Sequence, residues 1–121
     1  MKGRLLELIQ SLFGMDMSLL QSSAWSPPVD IYRYRHGWLV KFELAGIRTE
    51  DIQVSIEGHH LTIQGIRRDW SIREGHRSYS MEIAYNRFER SVELPCKMEE
   101  ARILMEYRDG MLLIFLQMED K

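Results

Sequence analysis

The chain has 121 residues, of which 45% are hydrophobic and 28% are charged, and its formal net charge is −2 at pH 7. This composition is typical of one globular domain with a hydrophobic core and excludes a disordered chain, while the near-neutral charge disfavours a nucleic-acid partner. Cys96 is the single cysteine, which excludes an internal disulfide and fits a reducing, cytoplasmic location. The apolar run 111–116 is far shorter than the ~20 residues that span a bilayer, so no membrane partner is expected.

Residues 1–26 are predicted to form an N-terminal arm. Its apolar stripe follows the spacing i, i+3, i+4, i+7, i+8 of a one-faced helix and consists of Leu5, Leu8, Ile9, Leu12 and Phe13. Lys2 and Arg4 ahead of a leucine-rich stretch are also compatible with a signal peptide, but interrupting polar residues disfavour that interpretation. The stripe can cap the domain or act as a sticky arm. Pro27 and Pro28 stop any helix, so the domain is predicted over 27–118, with 119–121 as a short tail.

Beyond the prolines, short alternating segments between turn signals predict an all-β domain. Strands are predicted at 29–33, 38–44, 52–57, 60–66, 88–94, 103–108 and 111–117. Alternate residues in them are apolar, as in Val40, Phe42 and Leu44, which gives each strand one core-facing side. Several short strands of this kind predict two packed antiparallel sheets, an immunoglobulin-like β-sandwich.

The segment between Gly65 and Phe88 is too long for a structureless loop in a compact domain, so we expect it to have a function. Alternating apolar and polar residues over 78–85 predict a strand within it. This strand can join its own sheet as an ordinary hairpin strand or pair with another chain. The arginines of the segment are interleaved with Asp69 and Glu74, which favours a solvated loop over a nucleic-acid site.

The last two strands flank Asp109-Gly110, a sequence typical of a two-residue hairpin turn. Such a turn pairs Arg108 with Met111 and fixes the register of the hairpin. The face that carries the odd-numbered residues of 103–107 together with Leu112, Ile114 and Leu116 is predicted to be core. The other face carries an outer apolar patch of Leu104, Leu113 and Phe115 beside Leu39, where alternation predicts polar residues. Either the arm covers this patch or it binds other proteins.

The sequence contains no motif typical of an enzyme active site. The four histidines lack metal-ligand spacing, and no GxxxxGK phosphate loop indicates ATP use. Cys96 has no neighbouring base that the sequence identifies, so it is interpreted as a loop thiol and not as a nucleophile. We therefore expect no enzymatic activity, no metal and no cofactor.

Three blocks carry a family resemblance: VKFELAGIRTEDIQVSIEGHHLTIQG, then NRFERSVELP, then ARILMEYRDGMLLIFLQ. In this order they resemble the α-crystallin domain of the small heat-shock proteins over residues 29–117. Ala45-Gly46 stands where Pro-Gly is usual and Asn86 where Gly is frequent, and Asn tolerates the left-handed conformation. The resemblance implies an ATP-independent holdase that binds partly unfolded client proteins and prevents their aggregation. The alternative is a CS-type β-sandwich module, a co-chaperone or adaptor that binds one folded partner.

The resemblance to the non-animal branch of the family also implies a homodimer by strand exchange, or a small oligomer. The strand of the long loop, with Tyr79, Met81 and Ile83, would pair with the partner's first strand, which contains Ile31. Arg90 occupies an apolar position of its strand and matches a family arginine near the dimer interface, with a solvated position at the sheet rim as the alternative.

Client and peptide sites follow from the same resemblance. The arm's stripe would contact clients. The family's Ile-x-Ile/Val tail docks in a groove between edge strands, which would be lined here by Val54, Ile56, Ile103 and Met105. The chain ends in QMEDK, without this motif. We therefore expect the groove to be empty or filled by another segment.

Overall fold

A computed structural model describes residues 24–118, so the predicted stripe of Leu5, Leu8, Ile9, Leu12 and Phe13 lies outside the described residues. The described chain forms an all-β sandwich of two antiparallel sheets with strand orders β1-β2-β7-β6 and β3-β4-β5. The strands are β1 Val29–Tyr34, β2 Gly37–Glu43, β3 Ile52–Glu57, β4 His60–Arg67, β5 Asn86–Glu93, β6 Arg102–Arg108 and β7 Met111–Gln117. Short 3-10 turns at Thr49–Asp51 and Met98–Glu100 precede β3 and β6. The predicted fold class is confirmed, and each predicted strand end lies within two residues of the observed one.

The core lies between the inner faces of the two sheets. Val40 and Phe42 of β2 are fully buried, as predicted from their alternation, and Leu44 follows directly after the strand. The other fully buried strand residues of the core are Leu61 and Ile63 of β4 and Ile114 and Leu116 of β7. Central strands supply these residues because both of their edges are hydrogen-bonded, so their inner side chains are surrounded on every side.

The predicted register of the last hairpin is confirmed. Tyr107 pairs with Leu112 and Leu104 pairs with Phe115, and Asp109 and Gly110 both have positive φ, at 50° and 79°. The core prediction for the odd-numbered residues of β6 is wrong in part. Ile103 is 37% and Met105 is 57% exposed. The reason is that β6 is an edge strand, which no further strand of the described residues covers.

The loop after β4 is not a strand in the single chain. Of the two arrangements considered for a strand at 78–85, the hairpin strand on a sheet of the same chain does not form, since no strand of the described residues pairs with this segment. Tyr79, Met81 and Ile83 are instead exposed in an extended loop, Tyr79 completely so. The loop ends at Asn86, whose φ of 72° is the left-handed conformation expected for an Asn in the position of a Gly.

Trp25 and Ser26, which the sequence places in the arm, hydrogen-bond to the second sheet. Trp25 forms a parallel bridge with Phe88, with its N–H donating to the carbonyl of Arg87 at 3.1 Å and its carbonyl accepting from the N–H of Glu89 at 3.0 Å. The hydroxyl of Ser26 donates to the carbonyl of Glu89 at 2.9 Å. The segment before β1 therefore covers part of the outer edge of β5.

Candidate functional site

A cleft of about 200 Å³ lies between the adjacent edge strands β3 and β6. Its lining is mainly apolar and consists of Thr49, Ile52, Val54, Met105, Glu106, Tyr107 and Leu112. Two of the four predicted groove residues, Val54 and Met105, thus face the same cleft. Ile56 and Ile103 lie one alternation step along the same faces of their strands and do not line it. The other five lining residues were not predicted for the groove, because their position depends on how the two sheets stack.

The cleft also offers backbone groups to a ligand. Among residues 24–118, β3 pairs only with β4 and β6 pairs only with β7, so each presents an edge that no other described strand occupies. An extended peptide can hydrogen-bond to such an edge while its alternate side chains enter the apolar cleft. The hydroxyl of Tyr107 lies at the cleft but is already engaged, since it donates to the carbonyl of Leu44 at 2.6 Å. The cleft is therefore suited to a short, extended, apolar segment.

A second apolar surface lies on the outside of the four-stranded sheet. Tyr32, Leu39, Phe115 and Leu104 form a continuous row across β1, β2, β7 and β6. Tyr32 is 49% and Leu104 is 45% exposed, and the two side chains between them are half-buried. The predicted patch of Leu104, Leu113 and Phe115 with Leu39 is thus placed together, with Leu113 in the neighbouring row. The sequence missed Tyr32 because the Arg35-His36 turn carries no clear register signal.

The predicted strand exchange would pair β1 with residues 78–85 of another subunit. Within this chain the two segments are not paired with each other. β1 is an edge strand, and its Ile31 is 41% exposed although it points to the inner side of the sheet. Met81 and Ile83 of the long loop are 58% and 63% exposed. An unpaired strand edge and an exposed alternating segment are the two features that strand exchange between subunits needs.

Arg90 points to the inner side of the second sheet. It lies opposite Ile63 of β4 and between the buried Phe88 and Val92, while its own side chain is half-buried. β5 is an edge strand, so the long side chain can reach the rim. Among the described residues, no hydrogen bond or ion pair holds its guanidinium. The position is compatible both with the predicted interface role and with a solvated rim.

Ionisable groups elsewhere do not form a reactive centre. Residues 24–118 contain no group of three His, Cys, Asp or Glu side chains that could hold a metal ion. Burial raises the pKa of the Cys96 thiol, which favours the unreactive neutral form. The hydrogen bond from the exposed Arg68 lowers the pKa of the half-buried Asp51, at an Nε to Oδ2 distance of 3.1 Å. No helix in the described part of the chain has the length and apolar character needed to cross a bilayer.

Comparison with known protein sequences points to one family. The sequence profile of the Hsp20/alpha crystallin family matches residues 30–121. Small heat shock protein C2 of Rickettsia felis is 30% identical over 95 residues, which cover 78% of this chain and 62% of that protein. Heat shock protein 16 of Schizosaccharomyces pombe is 30% identical over 99 residues, which cover 79% of this chain and 68% of that protein. For Rickettsia felis small heat shock protein C4, the chain spans 55% of the relative's length.

Comparison with solved structures points to the same family. Heat shock protein 16.0 from Schizosaccharomyces pombe superposes with a TM-score of 0.68 at 29% identity, covering 77% of this chain and 86% of that one. The hspA of Xanthomonas axonopodis gives a TM-score of 0.66 at 29% identity, covering 79% of this chain and 96% of that one. The likeness therefore extends over both sheets.

Proposed function

This chain belongs to the Hsp20/alpha crystallin family, and we propose that it is an ATP-independent holdase that binds partly unfolded proteins and prevents their aggregation. The observation that carries the proposal is the amount of apolar surface outside the core. In the described part of the chain, the row from Tyr32 to Leu104 and the cleft at Val54 and Met105 are both open to solvent. Partly unfolded proteins expose apolar segments that such surfaces can bind. We infer no enzymatic role and a cytoplasmic place of action.

The binding is expected to be weak at each contact and reversible. Covering one large apolar side chain contributes about 1.5–3 kcal/mol, of which a half-exposed residue such as Leu104 can supply only part. Several contacts must therefore act together to hold a client, which suits a surface that accepts unrelated sequences. The alternative of a CS-type adaptor is disfavoured, since the long loop is not folded back onto a sheet of its own chain.

The test is aggregation of client proteins in the presence of the full chain. Light scattering of several unrelated heat-unfolding proteins should fall as the chain is added, and added ATP should change nothing. Failure to suppress the aggregation of any of them would show that the holdase function is wrong. Suppression of one client alone would favour the adaptor.

We also propose that the chain forms a dimer in which residues 78–85 pair with β1 of the partner. Support comes from the free edge of β1 and from the exposed Tyr79, Met81 and Ile83. Arg90, at the rim of β5, is proposed to lie at the same interface. Pairing would protect both edges from aggregation.

Replacing Met81 and Ile83 together by Lys should convert the dimer into a monomer at micromolar concentration. The reason is that two charges would be buried where apolar side chains meet the partner's sheet. Mass measured by light scattering after size-exclusion chromatography checks this. Ser80→Lys is the matched control, because Ser80 alternates to the other side of the segment, and it should leave the mass unchanged. A monomeric wild-type chain, or double variants of unchanged mass, would contradict the exchange.

The cleft between β3 and β6 is proposed to bind an extended apolar peptide. An added Ile-x-Ile peptide should bind, and Val54→Glu or Met105→Glu should weaken binding at least about tenfold, because a charge in the cleft loses its hydration. Fluorescence anisotropy of a labelled peptide measures the effect. Ser55→Glu, which points to the other face of β3, is the control and should bind normally. Binding that survives charges at both lining positions would place the peptide elsewhere.

A further inference from the structure

Arg67 is a buried charged side chain at the junction of β4 and the long loop, only 9% exposed. Its Nε–H donates to the carbonyl of Ala45 at 3.0 Å, and its Nη1–H donates to the carbonyl of Ala84 at 2.9 Å. A buried guanidinium needs such acceptors, and its planar fork lets it hold two carbonyls in fixed directions. One side chain at the start of the loop is thereby bonded to a residue near the end of it.

This bond holds the loop to the sandwich. Other hydrogen bonds described for residues 69–85 join the loop to itself: Asp69 to Ser71, and Arg73 to His76. Within the described chain, the bond from Arg67 to Ala84 is thus the polar link between the body of the loop and the sheets. Removal of this link would leave the loop attached by its two ends.

The same guanidinium contacts the segment before β1. Its central carbon lies 4.3 Å from the centroid of the Trp25 ring, which is a cation–π contact. Trp25 is itself fixed, since its indole N–H donates to the carbonyl of Asn86 at 3.3 Å and its ring lies 5.4 Å from that of Phe88. The indole therefore covers one side of the guanidinium that holds the loop.

The surrounding cleft brings these parts together. It has a volume of about 510 Å³, and its lining includes Trp25, Arg67, Trp70, Ile83 and Tyr85. Residues from the pre-β1 segment and from both ends of the loop thus share one space. A movement of Trp25 would uncover one side of the Arg67 guanidinium, and water would then compete for its donors.

We propose that Arg67 is a positioning residue that couples the position of the Trp25 side chain to the position of the long loop. When the Trp25 ring lies against the Arg67 guanidinium, it shields the guanidinium from water and the loop is held at Ala84. When Trp25 is displaced, the loop is released. The inference deepens the proposed strand exchange and rests on it for its consequence. Displacement of the chain before β1 would loosen the segment that the partner binds, and would speed exchange of subunits.

The experiment measures loop mobility in the full chain. A nitroxide is attached at Glu82→Cys in a Cys96→Ser background, and its electron paramagnetic resonance line shape gives the rotational correlation time. Arg67→Met and Trp25→Leu should each shorten that time by at least about twofold. The double variant should be no more mobile than either single one, because both act through one link. Arg67→Lys keeps the positive charge but loses the planar guanidinium that holds two carbonyls at once. The label should therefore be as mobile in Arg67→Lys as in Arg67→Met.

Arg68→Met is the matched control. Arg68 is the next residue, yet its guanidinium pairs with Asp51 and not with the loop, so the label should keep its mobility. Additive effects of the two single variants, no effect of either Arg67 variant, or an equal effect of Arg68→Met would each overturn the proposal. Circular dichroism selects variants that are folded, and Arg67→Lys replaces Arg67→Met if the latter does not fold. The mass of each labelled sample shows separately whether the dimer exists, so a failure of strand exchange is distinguishable from a failure of the coupling.

Discussion

A chain that lacks residues 1–23 should keep its folded sandwich and lose most of its ability to suppress client aggregation. Both sheets and the buried core come from residues after this point, and Trp25 and Ser26, which bond to β5, are retained. The removed part carries the apolar stripe of Leu5, Leu8, Ile9, Leu12 and Phe13. A helix of that length is marginal in isolation, which leaves its apolar side chains available to clients. Light scattering measures the suppression, and thermal melting followed by circular dichroism measures the fold.

A full-length control separates the stripe from mere chain length. Replacing Leu8, Leu12 and Phe13 by Ser should reduce suppression as deletion does, whereas replacing the intervening polar Gln10 and Ser11 by Ala should not. If the truncated chain suppresses aggregation as well as the full chain does, clients bind the sandwich itself. The outer row of Tyr32, Leu39, Phe115 and Leu104 and the β3–β6 cleft would then be the sites to test.

The parts of the fold that could be predicted depend on local signals. Alternation with period two located the strands, and Asp109-Gly110 set the register of β6 and β7, since both its residues can take positive φ. The exposure of Met105 could not be predicted in this way. It depends on β6 lying at the edge of its sheet, which is a property of the whole strand order and not of the strand.

The candidate sites also divide into those that local sequence signals predict and those that depend on how distant segments pack. Val54 and Met105 were predicted only through the family resemblance, because the cleft forms between strands of different sheets. The patch around Phe115 could be predicted from the residues alone, because one turn fixes which side chains share a face. The link from Arg67 to Trp25 could not, since it joins residues far apart in sequence through a buried guanidinium that looks like one more loop arginine.

Replacing Phe42 by Ala should destabilise the protein by about 3–5 kcal/mol, a large part of the ~5–15 kcal/mol that holds a domain together. Phe42 is completely buried in β2, where it pairs with Val29 and Leu112 on neighbouring strands, so its removal leaves a cavity in the core. Urea unfolding at one fixed protein concentration measures the loss, because dimer formation adds its own stability.

Phe115→Thr is the matched comparison, because Phe115 is a phenylalanine of the same sheet that points outward. Threonine suits a solvated strand face, so this change should cost less than about 1 kcal/mol if the outer row is open in the assembled protein. A loss close to that of Phe42→Ala would show instead that the row is covered. Repeating the measurement without residues 1–23 then identifies the cover: if the N-terminal segment provides it, the cost of Phe115→Thr should fall to that of an exposed position. If another subunit provides it, the cost should remain and should depend on protein concentration.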